Sequence, residues 1–105
     1  MIGFTRAIKT SELQDGQVML VTVGDERILL SNLDGDFYAI SEVCTHASGP
    51  LSQGHVEGIE IECPWHGSHF NLKTGGVTAG PALERLARFQ VKVVGNDVFV
   101  GPQQD

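Results

Sequence analysis

Short apolar runs separated by turn residues are the pattern that most constrains the fold of this chain. Residues 17–23, 27–31 and 37–41 are rich in apolar side chains, and residues 89–94 largely alternate between apolar and polar positions. Such runs are typical of half-buried strands, and the Asp34-Gly35 pair between two of them indicates a tight hairpin turn. The pattern predicts an all-β fold, an antiparallel sandwich or small barrel.

Helical signals are weak throughout the sequence, because no long stretch shows a 3.6-residue apolar period. Residues 11–14 predict at most one helical turn. Residues 82–88 are the only other helical candidate, and the Gly80-Pro81 pair before them favours a loop.

Length and composition limit the organisation and the class of the protein. A chain of 105 residues is expected to form one domain, residues 1–105. Seven basic against thirteen acidic residues give a net charge of −6, which argues against nucleic acid and anionic membrane as partners. The N-terminal residues do not resemble a secretory signal, and no apolar run approaches the roughly 20 residues of a membrane span. We therefore expect a cytoplasmic protein with reduced cysteines.

Two segments do not follow the strand pattern, and each carries one cysteine and one histidine at close spacing. The loop-like segments cover about residues 43–52 and 62–76, and a predicted short hairpin over residues 55–62 would return the second beside the first. Ligands one or two residues apart can reach one site from a single tight turn. The spacing therefore predicts a four-ligand site at one end of a β structure. The four side chains are Cys44, His46, Cys63 and His66.

Three kinds of site use such residues. Two cysteines and two histidines are a normal tetrahedral zinc set, although zinc modules usually pair Cys with Cys and His with His. A Cys–His pair can also be a nucleophile and its base, which leaves the duplicated arrangement unexplained. A two-iron cluster in which two cysteines hold one iron and two histidines the other uses two of each ligand, and the spacing favours this third site.

The motifs Cys44-Thr-His46 and Cys63-Pro-Trp-His66-Gly, separated by residues 47–62, resemble the ligand signature of Rieske [2Fe–2S] proteins. The likeness extends over nearly the full chain, through the hairpin at residues 34–40 and the glycines that precede Gly80-Pro81. The chain is most similar to the ferredoxin component of bacterial aromatic-ring-hydroxylating dioxygenase systems. The resemblance implies a Rieske-type antiparallel β sandwich or barrel with a two-loop cluster-binding subdomain.

The resemblance also implies one [2Fe–2S] cluster per chain. Cys44 and Cys63 would bind the inner iron, His46 and His66 would bind the outer, solvent-facing iron, and the Gly80-Pro81 loop would cover a third side. The protein would then be a one-electron carrier and not an enzyme.

Its partners would be an NAD(P)H-dependent flavin reductase, which donates the electron, and a terminal oxygenase, which accepts it. The carrier itself is expected to be a monomer. The alternatives are a Rieske-type small subunit of another redox system such as nitrite reductase and, in a different class, a zinc-stabilised interaction module.

Several positions bear on the reduction potential that the resemblance implies. In the oxidised cluster, the charges of two ferric ions, two sulfides and two thiolates sum to zero, and the neutral imidazoles add nothing. A four-cysteine cluster carries a charge of −2, so an electron is added more easily to the cluster with two histidines. Gly49 and Trp65 stand where respiratory Rieske proteins carry a disulfide, and Phe70 stands where they have a tyrosine donor, while Ser68 matches their serine donor. We expect a potential at the low end of the family range of about −150 to +300 mV.

The remaining polar and aromatic side chains have simpler interpretations. His55 is expected to be an exposed turn residue, and His69 a surface or loop-packing residue, with support of a metal ligand as the alternative. Trp65 is either a partner-facing aromatic or an anchor of its loop. We expect Glu57, Glu60 and Glu62 to lie on the solvated face of a strand. Their negative charges could also steer a basic partner.

Overall fold

The computed structural model describes residues 3–45, 48–65 and 67–104. Within these ranges the only helices are two one-turn 3-10 helices, Thr10–Glu12 and Leu51–Gln53, and none is long or apolar enough to cross a membrane. The all-β prediction is therefore confirmed. The strands are β1 (Thr5–Lys9), β2 (Val18–Val23), β3 (Glu26–Leu33), β4 (Asp36–Ser41), β5 (His55–Glu57), β6 (Glu60–Glu62), β7 (His69–Asn71), β8 (Val77–Ala79), β9 (Arg88–Val94) and β10 (Asp97–Gln104).

The larger sheet has six antiparallel strands in the order β1-β10-β9-β4-β3-β2. Its two outer strands contact each other, so the sheet is nearly closed into a barrel. The β3–β4 hairpin turns at Asp34 and Gly35, whose φ angles are 57° and 90°. Positive φ at both turn residues is what a two-residue hairpin turn requires, so the predicted turn is confirmed.

The smaller sheet has four short strands in the order β5-β6-β7-β8. Ile61 and Phe70 lie opposite each other on its inner face and are fully buried. The β5–β6 hairpin begins after the first Cys–His segment and ends at the second. The predicted hairpin over residues 55–62 is confirmed, and it brings the two segments to the same end of the molecule.

Strand β3 connects the two parts of the core, because both of its faces are buried. Ile28 and Leu30 belong to the cluster inside the larger sheet. Leu29 and Leu33, which point to the opposite face, belong to a second cluster that also contains the smaller sheet and both cysteines. The Cys–His segments therefore stand on the same apolar core as the barrel.

The structure differs from the sequence prediction mainly in its shortest elements. Strands β1, β7 and β8 have five, three and three residues, too few to show a clear alternation. Strand β7 lies within the predicted loop 62–76, which is therefore irregular only in part. Residues 82–87 contain no helix, as the preceding Gly80-Pro81 pair indicated.

Buried Asn32 joins the end of the first 3-10 helix to the β3–β4 turn. Its Nδ2 donates to the carbonyl of Leu13 at 2.9 Å, and its Oδ1 accepts the N–H of Gly35 at 2.9 Å. We expect Asn32→Ala to lower the free energy of unfolding by about 1–3 kcal/mol, because the carbonyl of buried Leu13 loses its partner and the turn loses its bond to the Gly35 amide. Urea titration measures the change. Asn96→Ala is the control, since that asparagine is exposed, and equal stability of both variants would contradict the prediction.

Candidate metal centre

The first cysteine lies in a narrow loop that continues β4. Val43 and Pro50 form an isolated antiparallel bridge at its base. One step further along, the N–H of Cys44 donates to the carbonyl of Gly49 at 3.0 Å. The carbonyl of Cys44 then accepts the N–H of Ser48, which has a φ of 56°, at 2.9 Å. The loop is thus a short antiparallel ladder with Cys44 just before its tip.

The second cysteine follows β6 directly. Its N–H donates to the carbonyl of Ser68 at 2.7 Å, which closes a loop over residues 63–68. Ser68 is fully buried, and its Oγ accepts the N–H of Ala82 at 3.0 Å. This second loop is therefore held by its own backbone and by a third segment of the chain.

The two cysteines meet in the interior, where both are 1% exposed and neither forms a disulfide. Burial raises the pKa of the Cys63 thiol above its ordinary value of 9.0; the backbone of Trp65 opposes the shift, and the adjacent Cys44 thiol adds to it. Reactive cysteines are partly exposed, so this buried pair does not suit the Cys–His nucleophile considered above. A metal that binds here displaces the thiol protons.

The two loops touch through Gly49 and Trp65. A Cβ at Gly49 would lie 2.8 Å from Sγ of Cys63 and 3.2 Å from Cγ of Trp65, so only glycine fits beside the thiol. Trp65 is nevertheless 50% exposed. Its inner side therefore anchors the loop while its outer side is open to a partner, and the two interpretations of Trp65 are compatible.

A third segment, residues 80–84, is bonded to both loops. Oγ1 of Thr45 in the first loop donates to the carbonyl of Glu84 at 2.6 Å, and the Ser68–Ala82 bond holds the second loop. Gly80, with a φ of 94°, passes so close to the second loop that a Cβ there would lie 2.6 Å from Cα of Ser68. The segment predicted to cover a third side of the site therefore lies against both cysteine loops.

His46 and His66 lie outside the described residues, and their role as ligands stays a prediction. Within the described ranges, no three His, Cys, Asp or Glu side chains are grouped as a metal site. The two free thiols, side by side and sealed from water, nevertheless fit the thiolate half of a [2Fe–2S] centre, which needs two cysteines at one iron.

The other two histidines lie on the outer face of the smaller sheet. His55 is exposed on β5, with Nε2 3.8 Å from Oε1 of Glu57. His69 on β7 lies between two carboxylates, with Nδ1 3.4 Å from Oε1 of Glu60 and Nε2 3.7 Å from Oε2 of Glu62. His69 is thus a residue of the sheet surface, as predicted, and the three glutamates form a solvated face.

Comparison with known proteins agrees with this architecture. The family model described as the Rieske [2Fe-2S] domain matches residues 3–102. The chain belongs to this Rieske family. The barrel-like sheet, the smaller sheet and the two loops are accordingly the base and the cluster-binding subdomain of a Rieske fold.

Relatives of this Rieske chain differ greatly in length. The ferredoxin component of biphenyl 2,3-dioxygenase from Rhodococcus jostii (strain RHA1) is 35% identical over 99 residues, which cover 94% of this chain and 92% of the relative. Apoptosis-inducing factor 3 from Homo sapiens is 37% identical over 89 residues, but the match spans 85% of this chain and only 15% of that protein.

A solved structure is similar over the whole fold. It is the complex of reduced oxygenase and oxidized ferredoxin in carbazole 1,9a-dioxygenase, in which the matching chain is 33% identical with a TM-score of 0.89. The alignment covers 94% of this chain and 93% of that one.

Two contacts that shape the loops were not predicted from the sequence. One joins Glu42 to Ser52, and the other joins Thr45 to Glu84. The sequence did contain a signal that the Glu42 side chain is buried. Glu42 is two residues from Ile40, and side chains two residues apart in a strand point to the same face. The second joins segments 39 residues apart by a side-chain-to-backbone bond, which leaves no local pattern.

The close approach at Gly49 leads to a specific prediction. We expect Gly49→Ala to weaken metal retention by about 10–100-fold, the range for changes next to metal ligands, because the new Cβ displaces Cys63 or Trp65. Iron per purified chain, before and after challenge with a chelator, measures the effect. Gly76→Ala is the matched control, since its Cβ would meet only the Thr74 hydroxyl, at 3.3 Å. Full iron content in both variants would contradict the prediction.

Proposed function

We propose that this protein is the ferredoxin component of an aromatic-ring-hydroxylating dioxygenase system, a one-electron carrier with one [2Fe–2S] cluster per chain. The observation that carries the proposal is the pair of buried thiols that two loops bring together within a Rieske domain. Relatives described as ferredoxin components match this chain over almost their whole length, which supports the choice of a ferredoxin role.

The proposed ligands are Cys44 and Cys63 at the inner iron and His46 and His66 at the outer iron. The shared burial of the thiols and the close approach of Gly49 to Cys63 support the cysteine half. When bound, such a cluster accepts one electron and returns it. The residues of the chain hold the two cysteine side chains in a dry interior.

The carrier role requires other proteins on both sides of the electron transfer. The sequence has no Gly-x-Gly-x-x-Gly pattern for a nicotinamide or flavin, so we propose an NAD(P)H-dependent flavin reductase as the donor. A mononuclear iron of the kind used by oxygenases takes two histidines and a carboxylate. His55 and His69 face glutamates on the sheet surface, and the described residues offer no grouping of three for such a metal. We therefore propose a carrier without an activity of its own.

The acceptor in this proposal is the terminal oxygenase of the same system. A solved complex of an oxygenase and a ferredoxin from carbazole 1,9a-dioxygenase, which contains a chain similar to this one, supports that choice. We also propose that the carrier acts as a monomer in the cytoplasm, where free thiols such as Cys44 and Cys63 are the normal state.

The proposed potential lies at the low end of the Rieske range. Phe70 is fully buried and has no hydroxyl to donate. Ser68 accepts the N–H of Ala82 through its Oγ, so its own proton remains free to be donated elsewhere. One donor instead of two stabilises the reduced, more negative cluster less, which lowers the potential.

The cluster itself is the first prediction to test. We expect purified protein to be red-brown, with about two irons and two acid-labile sulfides per chain, and to give a Rieske EPR signal after reduction with dithionite. His46→Ala and His66→Ala should lose that signal, whereas His55→Ala, a change on the sheet surface, should keep it. Zinc without sulfide would contradict the proposal and favour a zinc-stabilised interaction module.

Exposed apolar side chains lie in the second loop and in the third segment. Leu83 in the third segment is 95% exposed and Trp65 in the second loop is 50% exposed. Exposed apolar groups at one end of a small protein are typical of a contact surface, and electron-transfer partners use small, transient ones. We propose that this end docks on the oxygenase.

Leu83→Gln tests the docking end. We expect about a tenfold rise in the carrier concentration that half-saturates the oxygenase, which corresponds to about 1.4 kcal/mol of lost binding. Leu20→Gln is the matched control, because Leu20 is also exposed, at 41%, but lies on β2 of the larger sheet. Equal effects of the two substitutions would contradict the docking surface. Turnover with a nitrite reductase, and none with any oxygenase, would assign the carrier to another redox system.

A further inference from the structure

One carboxylate of this protein is completely buried, and it lies at the base of the first cysteine loop. Glu42 is 0% exposed and stands two residues before Cys44. Acidic side chains are almost never fully buried unless they are paired. Among the residues that the structure describes, none forms an ion pair with Glu42. Its position therefore requires another explanation.

Both oxygens of Glu42 are bound by a single residue on the other side of the loop. Oε1 accepts the backbone N–H of Ser52 at 2.9 Å, and Oε2 accepts the Ser52 hydroxyl at 2.6 Å. The backbone of Glu42 is also paired, because its N–H donates to the carbonyl of Arg27 and its carbonyl accepts the N–H of Leu51. Glu42 thus ties the loop both to strand β3 and to its own far end.

These bonds complete the ladder that carries Cys44. From base to tip, the successive rungs are Glu42 with Leu51, Val43 with Pro50, and Cys44 with Gly49. The Glu42–Ser52 contact adds a side-chain rung below them. Ser52 lies in the first turn of the 3-10 helix Leu51–Gln53, where backbone N–H groups have no partner within the helix. The Glu42 side chain accepts the N–H of Ser52, so it both closes the loop and caps the helical turn.

Closure alone does not need a charge. A glutamine could accept the Ser52 N–H through its carbonyl oxygen and donate to the Ser52 hydroxyl, at the same size and without the cost of burying an ion. The closure by Glu42 therefore depends on the length and hydrogen-bonding capacity of its side chain, which glutamine keeps and alanine removes.

We propose that Glu42 is a positioning residue of the redox centre, which fixes the Cys44 loop, and with it one ligand of the cluster, through its bonds to Ser52. The inference rests on the proposed function, because it concerns the retention of that same cluster. It concerns residues outside the expected ligand set.

Four variants test this closure. Glu42→Gln can keep both contacts with Ser52 and should retain iron and sulfide as the parent does in a chelator challenge. Glu42→Ala should weaken cluster retention in the same challenge by about 10–100-fold. Ser52→Ala removes the hydroxyl but keeps the backbone donor, so its loss should be smaller. Glu57→Gln makes the same substitution on the exposed outer face and should leave retention unchanged.

The outcomes are distinguishable from failure of the proposed function. A parent protein without iron and sulfide would refute the carrier role, and amide hydrogen exchange at Leu51 and Ser52 would still test closure, since Glu42→Ala should speed it. Retention as weak in Glu42→Gln as in Glu42→Ala would overturn the role assigned to these hydrogen bonds. Full retention in Glu42→Ala with parent-like exchange would overturn closure. If Glu42→Ala does not fold, Ser52→Ala and Glu42→Gln decide the question.

Discussion

The contact between the thiols of Cys44 and Cys63 is the constraint on which the rest of the site depends. The two residues lie in different loops, and each loop alone is too short to bury a polar side chain. They meet because the smaller sheet returns the chain beside its own starting point and because both side chains enter the core shared with β3. The larger sheet supplies that core. The architecture is therefore a rigid base that presents two loops in a fixed relation, and the chemistry of the site follows from which atoms the loops turn inward.

Each loop is closed by its own backbone, and both are also bonded to the third segment. Thr45 bonds this segment to the first loop and Ser68 bonds it to the second. The two loops and the third segment are therefore connected to one another, so that movement of one of them strains the other two. A redox site gains from such rigidity, because a change of charge by one electron then moves few atoms. The outer end of the same segment carries Leu83, so one piece of chain both braces the loops and presents an apolar surface.

Much of this arrangement could be predicted from the sequence. The alternation in β9, the Asp34-Gly35 turn and the two Cys–His motifs are local patterns with direct physical causes, and they were sufficient for the fold class and the cysteine pair. Contacts between distant segments were not predictable in the same way. Thr45 is 39 residues from Glu84 and Ser68 is 14 residues from Ala82, and no periodicity links such positions. Glu42 is an intermediate case, since its phase with Ile40 indicates burial but not its partner.

The two loops are joined at Gly49 and Trp65 without a covalent bond. A Cβ on Gly49 would lie 3.2 Å from Cγ of Trp65, so the absence of a side chain there leaves room for the indole. A disulfide would stiffen the loops further, but thiol–disulfide exchange would open it wherever the surroundings are reducing enough. A packed indole has no such chemistry. The loops of a carrier that is itself reduced and oxidised in every cycle thus stay closed independently of the redox state around them, and stiffness comes instead from hydrogen bonds at the base and from the third segment.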